Sequence, residues 1–144
     1  MVEGNLLESK TQFIAHQTNC KTRGNGMGLA KHIFEKYPDA NTYKNRKIPS
    51  RPGSIDVSGN VINMNAQFNP GKAKNSKMRR KRIVWFQQCL KKISEIEGIE
   101  SIAFPFKIGC GLAGGDWKIY KNLIDYFAKR NPHISVEIHR FVSK

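Results

Sequence analysis

Twice in this chain, a short apolar run passes directly into a glycine-rich loop and then into a helix-forming segment. The first run is Gln12–Gln17 (QFIAHQ), which continues as TNCKTRGNGMG; the second is Ser101–Phe106, which continues as KIGCGLAGGDW. A strand, a loop and a helix in that order form the repeating unit of α/β domains. In such folds, ligands bind beyond the strand ends, where the loops enter the helices. These two segments therefore constrain both the fold and the place of a site.

The remaining segments supply further elements of the same kind. Strands are also predicted over Gly53–Val57, Asn60–Ala66 and Ile134–Phe141. A hairpin turn is predicted at Ser58-Gly59-Asn60, between the first two of these runs. Helices are predicted from Met27 to just before Pro38, over Arg80–Glu97 and over Asp116–Lys129. We therefore expect one α/β domain over residues 1–144, with helices packed against a central sheet.

The composition sets limits on the class of protein. A chain of 144 residues, 39% of them apolar, can bury a sizeable core. It contains no apolar run near the roughly 20 residues of a membrane span and no signal-peptide pattern. Cys20, Cys89 and Cys110 are too widely spaced for a zinc motif, and their odd number does not suggest a disulfide framework. We expect a monomeric intracellular protein, cytoplasmic or nuclear, without metal, cofactor or membrane partner.

The positive charge is large and uneven. The formal net charge is +14, from 25 Lys and Arg against 11 acidic residues. There is no acidic residue between Asp56 and Glu95, whereas Lys72–Arg82 contains seven Lys and Arg residues. Such a surface attracts polyanions through its field and through counterion release. Alternatively, these residues form the solvent-exposed start of a helix without a binding role. The sequence leaves both explanations open.

The glycine content of the two loops suggests phosphate binding without proving it. Each glycine lets backbone N–H groups approach an anion closely, and a helix start adds unpaired N–H donors. However, GNGMG lacks the GxGxxG spacing of dinucleotide folds, and Gly71-Lys72 is followed by alanine, so there is no Walker A motif. Plain turns with helix caps would explain the same glycines.

Five segments carry a more specific signal, in the order in which a known family has them. They are GNLL (4–7), AHQTNC (15–20), GMGLA (26–30) followed by HIFEKYPDANTY, Pro52-Gly53, and FPFKIGCGLAGGDW (104–117). Together they resemble the motifs of the macro domain, a family that binds ADP-ribose. The similarity is greatest to the branch of the ADP-ribose 1''-phosphate phosphatases and terminal ADP-ribose glycohydrolases. The last segment, which resembles the family's phosphate loop, is the most specific.

The resemblance implies a macro domain with a mixed central sheet sandwiched between helices (α/β/α) and ADP-ribose in a cleft at the strand ends. It places Asn5 and Leu6 at the adenine, although the family usually has Asp where Asn5 stands. It places Asn19 near the distal ribose. The residues expected at the distal ribose and the diphosphate are Gly26, Met27, Gly28 and Leu29. The residues expected to wrap the diphosphate are Ile108, Gly109, Cys110, Gly111 and Leu112.

Two residues are candidates for catalysis. Asp116 aligns with the acidic residue of the hydrolytic branch, although an Asp directly before a helix is also an ordinary cap. His16 ends a strand near Asn19 and could protonate a leaving group or orient a ribose hydroxyl; a buried, hydrogen-bonded histidine is the alternative. Gln67 stands where the glycohydrolases carry a nucleophilic lysine, which argues against a covalent lysine route. Cys110 has no evident base and is predicted to be a small filler.

Three functions are compatible with these residues. The first is a hydrolase that removes phosphate from ADP-ribose 1''-phosphate or ADP-ribose from ester-linked targets. The second is a non-catalytic reader of ADP-ribose or poly(ADP-ribose). The third is nucleic-acid binding through the basic segment Lys72–Arg82, alone or together with ADP-ribose recognition.

Overall fold

The computed structural model describes residues 1–140, and within them six strands form one mixed sheet. The strands are β1 (Val2–Glu3), β2 (Phe13–Asn19), β3 (Ile55–Ser58), β4 (Val61–Gln67), β5 (Ser101–Pro105) and β6 (Ser135–Arg140). Their order across the sheet is β1–β6–β5–β2–β4–β3. All neighbouring strands are parallel except β3 and β4, which are antiparallel.

Helices cover both faces of this sheet. They are α1 (Leu29–Lys36), α2 (Ser76–Ser94) and α3 (Trp117–Arg130), with short 3₁₀ turns at Leu6–Glu8 and Pro38–Ala40. The buried apolar residues of α2 and α3 form one core with the sheet, whereas Ile33 and Phe34 of α1 form a second core with Ile14 and Val61. Because two separate apolar layers flank the sheet, the predicted α/β/α architecture is confirmed.

The parallel pairing determines where a site can form. Since β2, β4, β5 and β6 run in the same direction, their carboxyl ends lie along one edge of the sheet. These ends are Asn19, Gln67, Pro105 and Arg140. The chain leaves this edge through both glycine-rich loops, so the two loops meet there.

Most predicted elements agree with the structure to within a few residues. The hairpin is confirmed, because Ser58 and Val61 face each other across the antiparallel β3–β4 pair. The α2 helix begins at Ser76, four residues before the predicted Arg80, because the Asn75 Oδ1 caps it by accepting from the Met78 N–H at 2.9 Å. Strand β1 was not predicted. The predicted last residue of the final strand, Phe141, lies outside the described residues. None of the helices within residues 1–140 is long and apolar enough to cross a membrane.

Candidate functional site

A long cleft lies along the carboxyl edge of the sheet. It consists of two adjoining cavities, of about 480 Å³ and about 700 Å³, which share Gly28, Leu29, Pro105 and Phe106 as lining residues. The first glycine loop (residues 20–28) and the second glycine loop (residues 106–115) form its walls. A Cβ built on Gly28 would lie 3.3 Å from the Leu112 side chain, so the two loops nearly touch across the cleft. The shape suits an elongated ligand with two bulky ends.

The first glycine loop is held by hydrogen bonds around Asn19. The Asn19 side-chain Oδ1 accepts from the backbone N–H groups of Lys21 (3.0 Å) and Thr22 (2.7 Å), which turns the chain at the end of β2. The Asn19 N–H donates to the buried Tyr43 hydroxyl at 2.9 Å. Because Oδ1 is already used, the Asn19 side chain can offer a ligand its Nδ2 amide as a donor.

The second glycine loop depends on a glycine at position 109. Gly109 has φ of +75°, and a Cβ there would lie 2.7 Å from the ring of Tyr120 and 2.9 Å from Gln17 Oε1. The Gly109 carbonyl accepts from the Gly115 N–H at 2.9 Å, which folds the loop back on itself. Lys107 also has a positive φ, of 60°, which a side chain rarely adopts. Such local strain is common where a backbone is shaped for a ligand.

Arg82 anchors the second glycine loop by hydrogen bonds. The sequence instead places it on the exposed basic surface of residues 72–82. Its guanidinium is 4% exposed and donates to the carbonyl oxygens of Asn69 (3.0 Å), Gly71 (2.7 Å) and Ala113 (3.2 Å). The prediction that Arg82 belongs to an exposed basic surface is therefore wrong. The planar fork of arginine suits this task because it can serve several acceptors at once. Arg82 joins the segment after β4 to the second glycine loop.

The floor of the first cavity contains two glutamines. The Gln67 Nε2 donates to the Asn69 carbonyl at 2.9 Å, so its Oε1 must face Gln17, whose Nε2 donates to it at 2.6 Å. This chain of bonds leaves Gln17 Oε1 buried against Gly109 without a partner. This oxygen is enclosed by the loop and is not exposed to the cavity. Both the Oε1 and the Nε2 of Gln67 are therefore used within this network.

His16, next to Gln17 in β2, is buried on the other face of the sheet, where its ring packs against Phe34 of α1 at 5.4 Å. Its Nε2 lies 2.6 Å from Asn63 Oδ1, and the Asn63 Nδ2 donates to the Ala40 carbonyl at 2.8 Å. Since the amide of Asn63 is oriented by Ala40, Nε2 carries the proton and Nδ1 is an acceptor, which is buried without a partner. Burial lowers the pKa of His16 to about 4, despite the bond to Asn63. A neutral imidazole can orient a hydroxyl or accept a proton, but at neutral pH it has no spare proton to donate to a leaving group.

The lowered pKa of His16 predicts how stability depends on pH. The unfolded chain, with a pKa near 6.5, binds a proton that the folded chain excludes until about pH 4. Stability is therefore fully present above pH 6.5 and is lost as the pH falls towards 4. We expect His16 to account for about 2 kcal/mol of lost unfolding free energy between about pH 7 and pH 5. Urea denaturation at both pH values measures this loss.

The matched controls are two histidine variants. In His16→Gln, the loss of stability between these pH values should be smaller than in the wild type by that amount. In His133→Gln, which alters an exposed histidine, the loss should be unchanged. Equal pH dependence in wild type and His16→Gln would contradict a neutral buried imidazole.

The structure places Asp116 at the start of α3 rather than in the lining of the cleft. Its Oδ1 accepts from the Lys118 N–H at 3.0 Å, and the residue is exposed. It is nevertheless close to the second glycine loop, because its charge contributes to the raised pKa of Cys110. The helix-cap explanation thus has direct support, and the proposed acid or base role of Asp116 stays a prediction.

Cys110 is held in the second glycine loop as a protonated thiol. Burial, followed by the nearby charge of Asp116, raises the pKa of the Cys110 thiol to about 11. Its Sγ lies 3.3 Å from the Ile108 carbonyl oxygen, to which the thiol donates. A thiol in this state is a poor nucleophile at neutral pH.

We expect Cys110→Ala to change ligand affinity by no more than about twofold, because only a small side chain is lost and its thiol donates within the loop, to the Ile108 carbonyl. Calorimetry on the variant and slow alkylation of native Cys110 at neutral pH test this. Rapid alkylation, or loss of binding in the alanine variant, would contradict it.

The second cavity forms the other end of the cleft. Asn5 and Leu6 line it, together with Phe106 and Arg140. The Asn5 Oδ1 accepts from the Leu7 N–H at 3.0 Å, so its side chain can offer a ligand only the Nδ2 donor. The ring of Phe106 is flanked by the Arg140 guanidinium at 5.2 Å and the Trp117 ring at 5.2 Å. Phe106 thus provides a fixed aromatic surface between the two cavities.

The structure brings most of the predicted binding residues to one cleft. The predicted residues that line it are Asn5, Leu6, His16, Asn19, Met27, Gly28, Leu29, Ile108, Gly109, Gly111 and Leu112. Gly26, Cys110 and Asp116 do not line either cavity; a Cβ on Gly26 would instead meet Ala30 at 2.8 Å. Within the described residues, no cluster of three or more His, Cys, Asp or Glu side chains could hold a metal ion.

Sequence reasoning missed several lining residues, among them Gln17, Tyr43, Phe106, Lys107, His139 and Arg140. Phe106 and Lys107 directly follow β5 and begin the second glycine loop, which was a usable signal. Tyr43 ends the segment HIFEKYPDANTY that carries the resemblance, but the local sequence does not show that it reaches Asn19, 24 residues away.

Solved structures with the same fold include several macrodomains. No protein-family model and no curated protein matches the sequence. The macrodomain of Thermus aquaticus DarG is similar with a TM-score of 0.72 and 21% identity, covering 96% of this chain and 95% of that one. The macrodomain of Mycobacterium tuberculosis DarG has a TM-score of 0.70 and 19% identity, covering 94% and 93%. A variant Oceanobacillus iheyensis macrodomain with ADPR has a TM-score of 0.66 and 16% identity, covering 99% and 84%.

The fold of this chain is therefore the α/β macro domain fold, with its cleft at the carboxyl edge of the sheet. The similarity extends over nearly the whole of both DarG macrodomains.

Proposed function

We propose that the cleft binds ADP-ribose, free or attached to a larger molecule. The observation that carries this proposal is the meeting of two glycine loops between two cavities at the carboxyl edge of the sheet. A diphosphate fits between the loops, where backbone N–H groups can face it and no carboxylate lines the cleft within residues 1–140. The macrodomain from Oceanobacillus iheyensis with ADPR shares this fold and supports the choice of ligand.

The two ends of the cleft suit the two ends of this ligand. We place the adenine in the cavity lined by Asn5 and Leu6, beside the aromatic ring of Phe106. We place the distal ribose in the cavity lined by His16 and Asn19, where the Asn19 Nδ2 donor can bond one of its hydroxyls.

Calorimetry with three ligands tests this assignment. ADP-ribose should bind at one site, whereas AMP and ribose 5-phosphate, which each fill one end only, should bind more weakly by at least about tenfold. Equal affinity for AMP and ADP-ribose would reject the two-ended site, and no binding of ADP-ribose to folded protein would reject the proposed function.

A hydrolase is the second candidate, acting on ADP-ribose 1''-phosphate or on ADP-ribose ester-linked to a target. The observation that favours it is the position of Asp116, whose exposed side chain caps α3 directly after the second glycine loop. A carboxylate beside that loop can act as the general base towards an attacking water. Gln67 cannot act as a covalent nucleophile, so the proposed route is direct attack by water.

Product analysis separates this hydrolase from a non-catalytic reader of ADP-ribose or poly(ADP-ribose). The assay measures phosphate released from ADP-ribose 1''-phosphate and ADP-ribose released from an ester-linked peptide. Asp116→Asn keeps the helix cap and removes the charge, whereas Asp116→Ala removes both. If Asp116 is the acid or base, both variants lose turnover; if it is only a cap, Asp116→Asn retains it. If the protein binds ADP-ribose but releases no product from either substrate, the non-catalytic function remains.

A further inference from the structure

The outward side of α2 carries a line of basic side chains. We define the basic face of α2 as Lys77, Arg80, Lys81 and Lys91, all of which are exposed. Their spacing places them on one side of the helix, where neighbours three or four residues apart lie about 5–6 Å from each other. Lys72 and Lys74, also exposed, precede the helix. Arg82 is not part of this face, because it is buried under the second glycine loop.

No intramolecular interaction accounts for these charges. The ion pairs within residues 1–140 are Lys121–Asp125 and Glu137–His139, neither of which involves the basic face of α2. The chain has no acidic residue between Asp56 and Glu95, so the helix itself carries no carboxylate. The positive charge of such a face is therefore neutralised by ions from the solvent or by a negatively charged partner.

The placement of the charges also works against the helix. Lys77, Arg80 and Lys81 lie in the first two turns of α2, at the positive end of the helix dipole, and no acidic residue occupies the first turn. Lys77 and Lys81 are four residues apart, an arrangement in which like charges repel. A local cost without a compensating contact in the folded chain is typical of a functional surface.

The segment before α2 packs on the second glycine loop. The Lys72 side chain lies over Gly114 of this loop, since a Cβ on Gly114 would lie 2.7 Å from Lys72 Cγ. Because Lys72 is exposed and precedes the helix, a polyanion that extended from the basic face over Lys72 would reach this loop.

We propose that the basic face of α2 binds the phosphate backbone of a nucleic acid without reading its sequence. A row of cations on one helix side can face the phosphates of a nucleic-acid backbone, whereas the exposed side of α2 carries only Val84 as an apolar residue and so suits a lipid surface poorly. The proposal is independent of the proposed function, because none of the four residues lines the cleft.

Fluorescence anisotropy with a labelled oligo(dT) of about twenty nucleotides tests the proposal. With four phosphates neutralised, raising NaCl from about 50 to about 200 mM should weaken binding about fiftyfold. In Lys77→Gln/Arg80→Gln/Lys81→Gln, low-salt affinity should fall at least about tenfold and the salt effect should shrink to about threefold. The control Lys118→Gln/Lys129→Gln/Arg130→Gln removes the same charge from exposed positions of α3. It should retain most of the affinity.

Three results would overturn the proposal. They are no binding of the wild type at low salt, equal loss in both triple variants, and binding of poly(ADP-ribose) without binding of DNA or RNA. Calorimetry with ADP-ribose on the same samples keeps the two claims separate. A protein that binds the oligonucleotide but not ADP-ribose would reject the proposed function and leave this inference intact. The α2 triple variant should also melt at a higher temperature, since unfavourable charges leave the helix start.

Discussion

Gly109→Ala should weaken ADP-ribose binding by about ten- to a hundredfold, the largest effect we expect from the replacement of one hydrogen atom by a methyl group. The new Cβ would meet the Tyr120 ring at 2.7 Å, and Tyr120 is 3% exposed and packs against Phe86 at 4.8 Å, so it cannot move aside. Alanine also disfavours the φ of +75° that the loop requires. The loop must therefore shift, and one or two of its backbone N–H groups can no longer donate hydrogen bonds to the diphosphate.

The same substitution should lower the unfolding free energy by about 3 kcal/mol, from the backbone strain and the overpacking together. Urea denaturation measures this, and calorimetry below the unfolding transition measures the loss of affinity. Gly111→Ala is the matched control for stability, because a Cβ there meets nothing within 4 Å and its φ is not positive. Equal stability of the two variants would show that the second glycine loop does not need the described geometry.

Arg82→Met should destabilise the protein by about 3 kcal/mol and weaken ADP-ribose binding, although Arg82 does not line the cleft. Methionine keeps much of the length of the buried side chain but leaves the carbonyl oxygens of Gly71 and Ala113 without their donor. The link between the segment after β4 and the second glycine loop is then lost. Arg82→Lys should rescue little, since one ammonium group cannot reproduce the fork.

Arg80→Met is the control, because it removes a positive charge two residues away from an exposed position. It should leave both stability and ADP-ribose affinity nearly unchanged. Chemical denaturation and calorimetry on the three variants distinguish an anchor from a general effect of charge. If Arg82→Met and Arg80→Met behave alike, Arg82 does not hold the loop.

Periodicity and turn chemistry are sufficient to predict most of the fold. The strands next to the glycine loops, β2 and β5, begin as apolar runs, and the hairpin between β3 and β4 has a Gly-Asn turn. Strand β1 cannot be predicted in this way, because its two residues form a strand only by pairing with His139 and Arg140. The predicted start of α2 is four residues late, because the basic residues after Asn75 show no apolar helical periodicity that would identify Asn75 as the cap.

The site is predictable where it depends on local motifs and is missed where it depends on distant contacts. The glycine loops can be identified by resemblance, and the structure places Gly28, Gly109 and Gly111 around one cleft. The burial of Arg82 cannot be foreseen, because a lysine- and arginine-rich segment gives no sign of which cation is buried. The network between Gln17 and Gln67 joins residues 50 positions apart, so only the parallel pairing of β2 and β4 reveals it.

The most direct test of the central claim is a crystal structure of the protein with ADP-ribose. The account predicts the adenine beside Phe106 and Asn5, and the diphosphate against the backbone N–H groups of Gly109, Gly111 and Leu112, since the Cys110 N–H already donates to the Lys107 carbonyl. It predicts the distal ribose within hydrogen-bonding distance of Asn19. Occupied density for ADP-ribose at any other surface, or an empty cleft in crystals grown at saturating ADP-ribose, would contradict it.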